Sequence, residues 1–265
     1  MVGRRRDTLG ERVTFKSNDG LTLSGVYRKV SVKSKAGIVL AHGICSSKDY
    51  VGFHASLADE LAGFGFDTLR FDFRGHGESE GMTENITVAG EVGDLAAAVR
   101  FLRTRCSSPT GIVGHSFGGA IAVLYAAEAI QSPFALVLLA PVLDFRRTLL
   151  EPETPWARQW FTPSAMAEAS RNGVLDVGGI RIGAELIRNF HTADPTSALQ
   201  ELLIPVLVIH GDGDTVVPFQ ATREASKAHA HVKFVRIAGA EHYFEDKESR
   251  VFRTAAEWLE SKVPS

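Results

Sequence analysis

The sequence predicts an α/β domain: a mostly parallel sheet of about eight strands, helices on both faces, and one inserted segment. Three observations carry this. Short continuous apolar runs recur along the chain, as strands buried on both faces require. Segments with helical spacing of apolar residues lie between them. One connection, from Pro141 to Ile204, is far longer than a plain loop in a compact domain.

The elements follow in chain order. "RVTFKS" and "LTLSGVYRKV" alternate apolar and polar residues around the turn signal "NDG", so they read as an opening hairpin. "GIVLAHG" (Gly37–Gly43) is the first fully apolar strand, and "FDTLRFDF", "GIVGHS", "FALVLLAP", "IPVLVIHG" and "VKFVRIAG" follow. Leu57, Leu61 and Phe64 share one face of a first helix, and Val92, Leu95, Val99 and Leu102 one face of a second. Ala120–Ile130, Phe219–Ala228 and Phe252–Leu259 suit three more helices. The long connection holds "PWARQWF", the turn-like "RNG" and "VGG", and a helical pattern from Ala184 to Phe190, and it reads as a cap over one end of the sheet.

Composition narrows the function classes. The 265 residues, 45% apolar and 23% charged, suffice for one large domain or two small ones with a sizeable core. A net charge of −2 argues against a nucleic-acid surface. Arg4, Arg5 and Arg6 are followed by no apolar stretch, so no signal peptide is read, and no run approaches the ~20 apolar residues of a membrane span. Cys45 and Cys106 make no disulfide framework, so free thiols and a cytoplasmic location are expected. No Cys/His cluster has metal-ligand spacing and no GxGxxG follows a first strand, so neither a metal nor a cofactor is expected.

"GHSFGG" is the most informative stretch. Ser116 follows the strand ending near Val113 and precedes a helix starting near Gly118, the context of a nucleophile elbow. A serine hydroxyl needs a base held by a third group, and this template orders them Ser, then Asp or Glu, then His. "VLVIHGDGDTVVP" supplies Asp212 and Asp214 just past one strand, and "VRIAGAEHYF" supplies His242 past the last. Asp212 could equally cap a turn, and Glu241 reads as a solvated loop charge. The template draws its oxyanion donors from the N–H after the serine, here Phe117, and from the loop "HGICSS", where Ile44 and Cys45 compete. No elbow surrounds the Cys45 thiol, so it is a poor nucleophile candidate, and His76 in "FDFRGHGESEG" reads as a structural loop histidine.

Together "AHGICSSK", "FDFRGHGESEG", "GHSFGG", "HGDGDTVVP" and "GAEHYF" resemble the serine α/β-hydrolases over nearly the whole chain. They are most similar to small-capped esterases of the feruloyl/cinnamoyl type within the serine aminopeptidase/monoglyceride-lipase-like grouping. The resemblance implies an α/β-hydrolase fold, with a core over residues 1–143 and 203–265 and a cap over 144–202 between the sixth and seventh strands. It implies Ser116, Asp214 and His242 as the triad and Ile44 and Phe117 as oxyanion donors. The expected activity is hydrolysis of small to medium acyl or aryl esters, hydroxycinnamoyl esters among them, by a monomer or homodimer. Amide or thioester cleavage is the alternative within enzymes, and a catalytically silent binding protein the alternative outside them. Asp72 and Arg74 are expected to orient other loops. Trp156 and Trp160, four apart with Phe161 next, read either as core anchors of the cap or as an aromatic wall of the substrate pocket.

Overall fold

The computed structural model describes residues 10–227 and 230–264, so the Arg4–Arg6 cluster and Ala228, the expected end of the fourth helix, lie outside the described residues. The chain opens with β1 (Glu11–Lys16) and β2 (Thr22–Arg28), an antiparallel hairpin in which Glu11 faces Tyr27. Then come β3 (Ala36–Ala41), α1 (Phe53–Gly63), β4 (Phe66–Phe71), α2 (Val88–Arg105), β5 (Thr110–His115), α3 (Phe117–Glu128) and β6 (Leu136–Leu139). The long connection holds a π-helical turn over Arg146–Leu150, α4 (Pro155–Trp160), α5 (Pro163–Asn172), a hairpin of β7 (Val174–Val177) and β8 (Ile180–Gly183), α6 (Ala184–Thr192) and α7 (Pro195–Glu201). The chain closes with β9 (Val206–Gly211), α8 (Phe219–Ser226), β10 (Val232–Ile237) and α9 (Glu248–Glu260).

Eight strands form one sheet in the order β1-β2-β4-β3-β5-β6-β9-β10, with β1–β2 and β2–β4 antiparallel and the rest parallel. The central strands β3, β4, β5, β6 and β9 are buried at every position, which is why most of their residues are apolar; β4 also buries Asp67, Thr68 and Arg70, and Asp67 accepts from the Tyr27 hydroxyl at 2.7 Å. α1 and α9 cover one face, where Leu57, Leu61, Phe252 and Leu259 meet Ile38 and Leu207. α2 and α3 pack together on the other, where Leu95, Val99 and Ile121 meet Val39 and Ile112. The Thr87 hydroxyl accepts from Gly90 N at 2.9 Å and so caps the start of α2.

The strand order places the site. The chain steps from β3 to β4 on one side and later to β5 on the other, so order reverses about β3. At such a switch the loops leaving the carboxyl ends of two neighbouring strands diverge and open a crevice. Those loops are the ones after β3 and β5, which carry Ile44 and Ser116. Among the described residues, no helix is long and apolar enough to cross a membrane, and no group of three or more His, Cys, Asp or Glu could hold a metal ion.

Candidate active site

The chain turns from β5 into α3 within one residue. Ser116 takes φ 56° and ψ −123°, a conformation that costs a non-glycine residue about 1–3 kcal/mol. Its own main chain holds it there: Ser116 N donates to Leu139 O at 2.9 Å, while Ser116 O accepts from Gly119 N and Val142 N, both at 3.0 Å. The glycines exist for space. A Cβ on Gly114 would lie 2.5 Å from Gly118 O, and one on Gly118 would lie 2.3 Å from His42 O. Strand and helix can therefore approach only without those side chains. Phe117 is the first residue of α3, so its N–H has no partner within the helix.

Asp214 and His242 meet from separate strand ends. The loop after β9 carries Asp214 and the loop after β10 carries His242, and His242 Nδ1 donates to Asp214 Oδ2 at 2.8 Å. Val216 N and Val217 N both donate to Asp214 Oδ1 at 2.8 Å. His210, within β9, donates from Nε2 to the same Oδ2 at 2.9 Å. Burial alone would raise the Asp214 carboxyl, but the charge of His242 and the hydrogen bonds from His210 and His242 outweigh it and hold the group well below the usual carboxylate range. Asp212 is placed otherwise. Its Oδ1 accepts from Gly239 N at 2.5 Å and it pairs with Arg236, so it ties the β9 turn to the β10 turn. Glu241 accepts from Thr215 N and Thr215 Oγ1, steadying the Asp214 loop from its exposed side.

The loop after β3 is fixed from below. Lys48 is 3% exposed, and its Nζ donates to Asp72 Oδ2 at 2.6 Å and to Glu78 Oε2 at 2.8 Å. Its backbone N–H also donates to Asp72 Oδ1 at 2.7 Å, so Asp72 clamps the loop that bears Ile44 and Cys45. Arg74 bonds both Asp94 and Asp19, holding its own loop to α2. His76 is buried, bonds Arg74 O through Nδ1 at 3.0 Å, and its ring lies 5.1 Å from that of His42.

Ser116, His242, Ile44 and Phe117 line one cavity of about 370 Å³. Trp156, Trp160, Leu149, Val177 and Ile180 line it from the long connection. Phe161 does not. Trp160 ends α4, and at Phe161 the backbone leaves helical geometry (φ −94°, ψ 49°), so its side chain is buried in the core and borders a separate outer cleft. Adjacent aromatics in sequence thus face different spaces. Among the described residues, no Asp, Glu, Lys or Arg lines the cavity at Ser116. Among them, too, no hydrogen bond joins Ser116 Oγ to His242, a spacing that often tightens only when substrate fills a site.

Sequence reasoning did not single out His210 or His115. His210 is a histidine inside an otherwise apolar strand, four residues before Asp214, and that placement was the available signal. His115 donates from Nε2 to the main-chain oxygen of His242 at 3.1 Å and so braces the His242 loop. His54 stands behind it, 2% exposed, with neither ring nitrogen hydrogen-bonded. Burial first, then the charges of His42 and Arg70, pushes its pKa down to about 3. The unfolded value is about 6.5, so the uncharged ring contributes stability above about pH 6.5 and loses it progressively as pH falls toward the folded value. By about pH 5 the loss from this residue reaches roughly 2 kcal/mol. The expected result is that His54→Leu flattens the fall of melting temperature between about pH 7 and pH 5. Parallel curves for variant and wild type would refute the assignment.

Comparisons with known proteins agree in kind. The family described as "Serine aminopeptidase, S33" matches residues 32–175. The bifunctional esterase/perhydrolase DCH of Acinetobacter calcoaceticus is 24% identical over 61% of this chain and 69% of its own. The monoglyceride lipase of Homo sapiens is 33% identical over 47% of this chain and 41% of its own. Among solved structures, Est1E of Butyrivibrio proteoclasticus with bound ferulic acid superposes with a TM-score of 0.81 at 23% identity, covering 95% of this chain and 99% of its own.

Proposed function

The chain belongs to the serine aminopeptidase S33 family and is an esterase-type hydrolase of α/β-hydrolase fold, and from that premise we propose that it cleaves carboxylic esters through Ser116, His242 and Asp214. One observation carries the reading: the His242–Asp214 pair, bonded at 2.8 Å, opens onto the same cavity as a serine held on a strained strand-to-helix turn. Asp214 fixes the imidazole with its proton on Nδ1, which leaves Nε2 free to accept a proton. His242 takes the Ser116 proton as the oxygen attacks the ester carbonyl. The N–H groups of Ile44 and Phe117, at the cavity wall, receive the negative oxygen. His242 then protonates the departing alcohol, and water repeats the cycle on the acyl-enzyme.

Residues 144–202 act as the cap in this reading, since Thr148, Leu149, Trp156, Trp160, Val177 and Ile180 all reach the cavity from that segment. The substrate is uncharged where it is enclosed. An aminopeptidase holds an α-ammonium, and the described residues of this wall offer no carboxylate for one. A panel of acyl esters, aryl esters, thioesters and amino-acid amides tests the reading, with esters expected to lead and amino-acid amides to trail; the reverse order would overturn it. On the same panel Trp160→Ala is expected to lower kcat/KM about tenfold for aryl and medium-chain esters, through lost apolar contact, and to leave acetyl esters little changed. Uniform loss with a large drop in melting temperature would make Trp160 a packing residue instead.

A further inference from the structure

The outer cleft that Phe161 borders is a second concave site, of about 1000 Å³, and no residue lines both it and the cavity at Ser116. The π-helical turn divides them: Leu149 lines the catalytic cavity and Leu150 the outer cleft. Two helices supply the walls. Pro163, Met166, Ala167 and Ser170 recur at helical spacing, so one face of α5 turns to the cleft, and Ile187, Phe190 and His191 do the same on α6. The lining is largely apolar. Leu150 and Met166 are half-buried there, and Phe161, Ile187 and Phe190 join them from the core.

Two guanidinium groups stand together at one edge. Arg146 Nη2 donates to Glu151 Oε1 and Arg158 Nε donates to Pro152 O, both at 2.8 Å, so the two cations flank the same pair of consecutive residues. Glu151 is the one carboxylate lining the cleft among the described residues, so that edge is net positive. Among those residues Arg158 makes no other hydrogen bond, and its two Nη groups are unengaged. The Arg146–Glu151 pair lies in water, where such a pair is weak and exchanges readily for another anion. Apolar walls with cations at one edge complement a hydrocarbon chain with an anionic head. We propose that the outer cleft binds a free amphiphile of this kind, a medium-chain carboxylate, with its head at Arg146 and Arg158 and its chain along Leu150, Met166 and Phe161. None of the large apolar side chains that stand exposed among the described residues borders the cleft, so its rim offers nothing to insert into a lipid surface, and the ligand is a single molecule taken from solution. This site stands apart from the ester-cleaving reading and does not depend on it.

The test is calorimetric titration with sodium octanoate and with octan-1-ol at about pH 8, where a carboxyl is ionised. Wild type is expected to bind octanoate about three- to tenfold more tightly than octanol. The double variant Arg146→Gln with Arg158→Gln is expected to lose that preference and to keep its affinity for octanol. Arg158→Gln alone, which breaks no ion pair among the described residues, is expected to lose part of it. Met166→Ala is expected to weaken both ligands alike, by about threefold or more, through lost apolar contact. Melting temperatures of the arginine variants should match wild type, because both side chains are exposed. Absence of saturable octanoate binding below about 1 mM overturns the proposal. So does a preference for octanoate that both arginine variants retain. Affinities that Met166→Ala leaves unchanged place the binding elsewhere, the cavity at Ser116 included, and overturn it too.

Discussion

Ser116→Ala is expected to fold as wild type and to lose turnover by roughly a million-fold. The substitution removes only Oγ. The hydrogen bonds that impose φ 56° on residue 116 run through its main-chain N–H and C=O, to Leu139, Gly119 and Val142, so alanine inherits the same turn. The helix packing also stands, because it depends on Gly114 and Gly118 and not on the hydroxyl. No neighbouring group replaces the nucleophile. Cys45 borders the cavity, but burial first, then the nearby charges of Glu91 and Asp176, pushes its thiol up to about 12, so it stays protonated and unreactive at neutral pH. What remains is catalysis from the oxyanion donors and binding alone. The checks are kcat on an aryl ester, melting temperature, and the mass shift produced by a fluorophosphonate. Wild type should gain one adduct at Ser116 and the variant none. A purified Ser116→Ala that hydrolyses esters at the wild-type rate ends the serine mechanism.

How much of this could be read from residues alone depends on burial. The central strands were legible because both of their faces are covered, which favours continuous apolar runs such as "GIVLA" and "VLVI". Helix positions were legible and their ends less so: the third was expected over Ala120–Ile130 and runs over Phe117–Glu128, because the elbow starts the helix at once. The long connection was recognised by its length, and of the hairpin Val174–Gly183 only the turn at "VGG" was read, not its strands. Its two strands have four residues each, too short for alternation to declare itself. Phe161 was grouped with the tryptophans because sequence spacing assumes that the helix continues, and it ends at Trp160. The placement of Ser116, Asp214 and His242 was legible because each lies just past a strand, where a parallel sheet gathers its loops. His210 escaped because a histidine in a buried strand has no pattern of its own. Its meaning comes from a carboxylate that only the folded turn brings to 2.9 Å.

That same carboxylate gives the second large effect: Asp214→Asn is expected to lower kcat by about four powers of ten, and Asp212→Asn by no more than about twofold. An amide at position 214 offers one oxygen and one NH2 where the carboxylate offered two oxygens, and its surroundings decide which way it points. On one side Val216 N and Val217 N both donate to Oδ1, and neither can become an acceptor. Turning the NH2 toward them would leave buried donors facing a donor, at about 1–3 kcal/mol for each one unsatisfied. On the other side both partners are histidines, which exchange donor for acceptor by moving a proton between ring nitrogens. The amide oxygen therefore faces the two valine N–H groups and the NH2 faces His242 Nδ1. That contact requires Nδ1 to be unprotonated, so the proton sits on Nε2, the nitrogen that should have received it from Ser116. The base is present, correctly placed, and in the wrong tautomer. Asp212 has no such role: it is bonded to Gly239 N and Arg236 at the exposed turn, and asparagine there keeps the bond to Gly239. The measurement is kcat and kcat/KM of both variants on one aryl ester, with melting temperatures to show that each is folded. A large loss in Asp212→Asn beside a small one in Asp214→Asn would move the acid role to Asp212 and undo the tautomer argument.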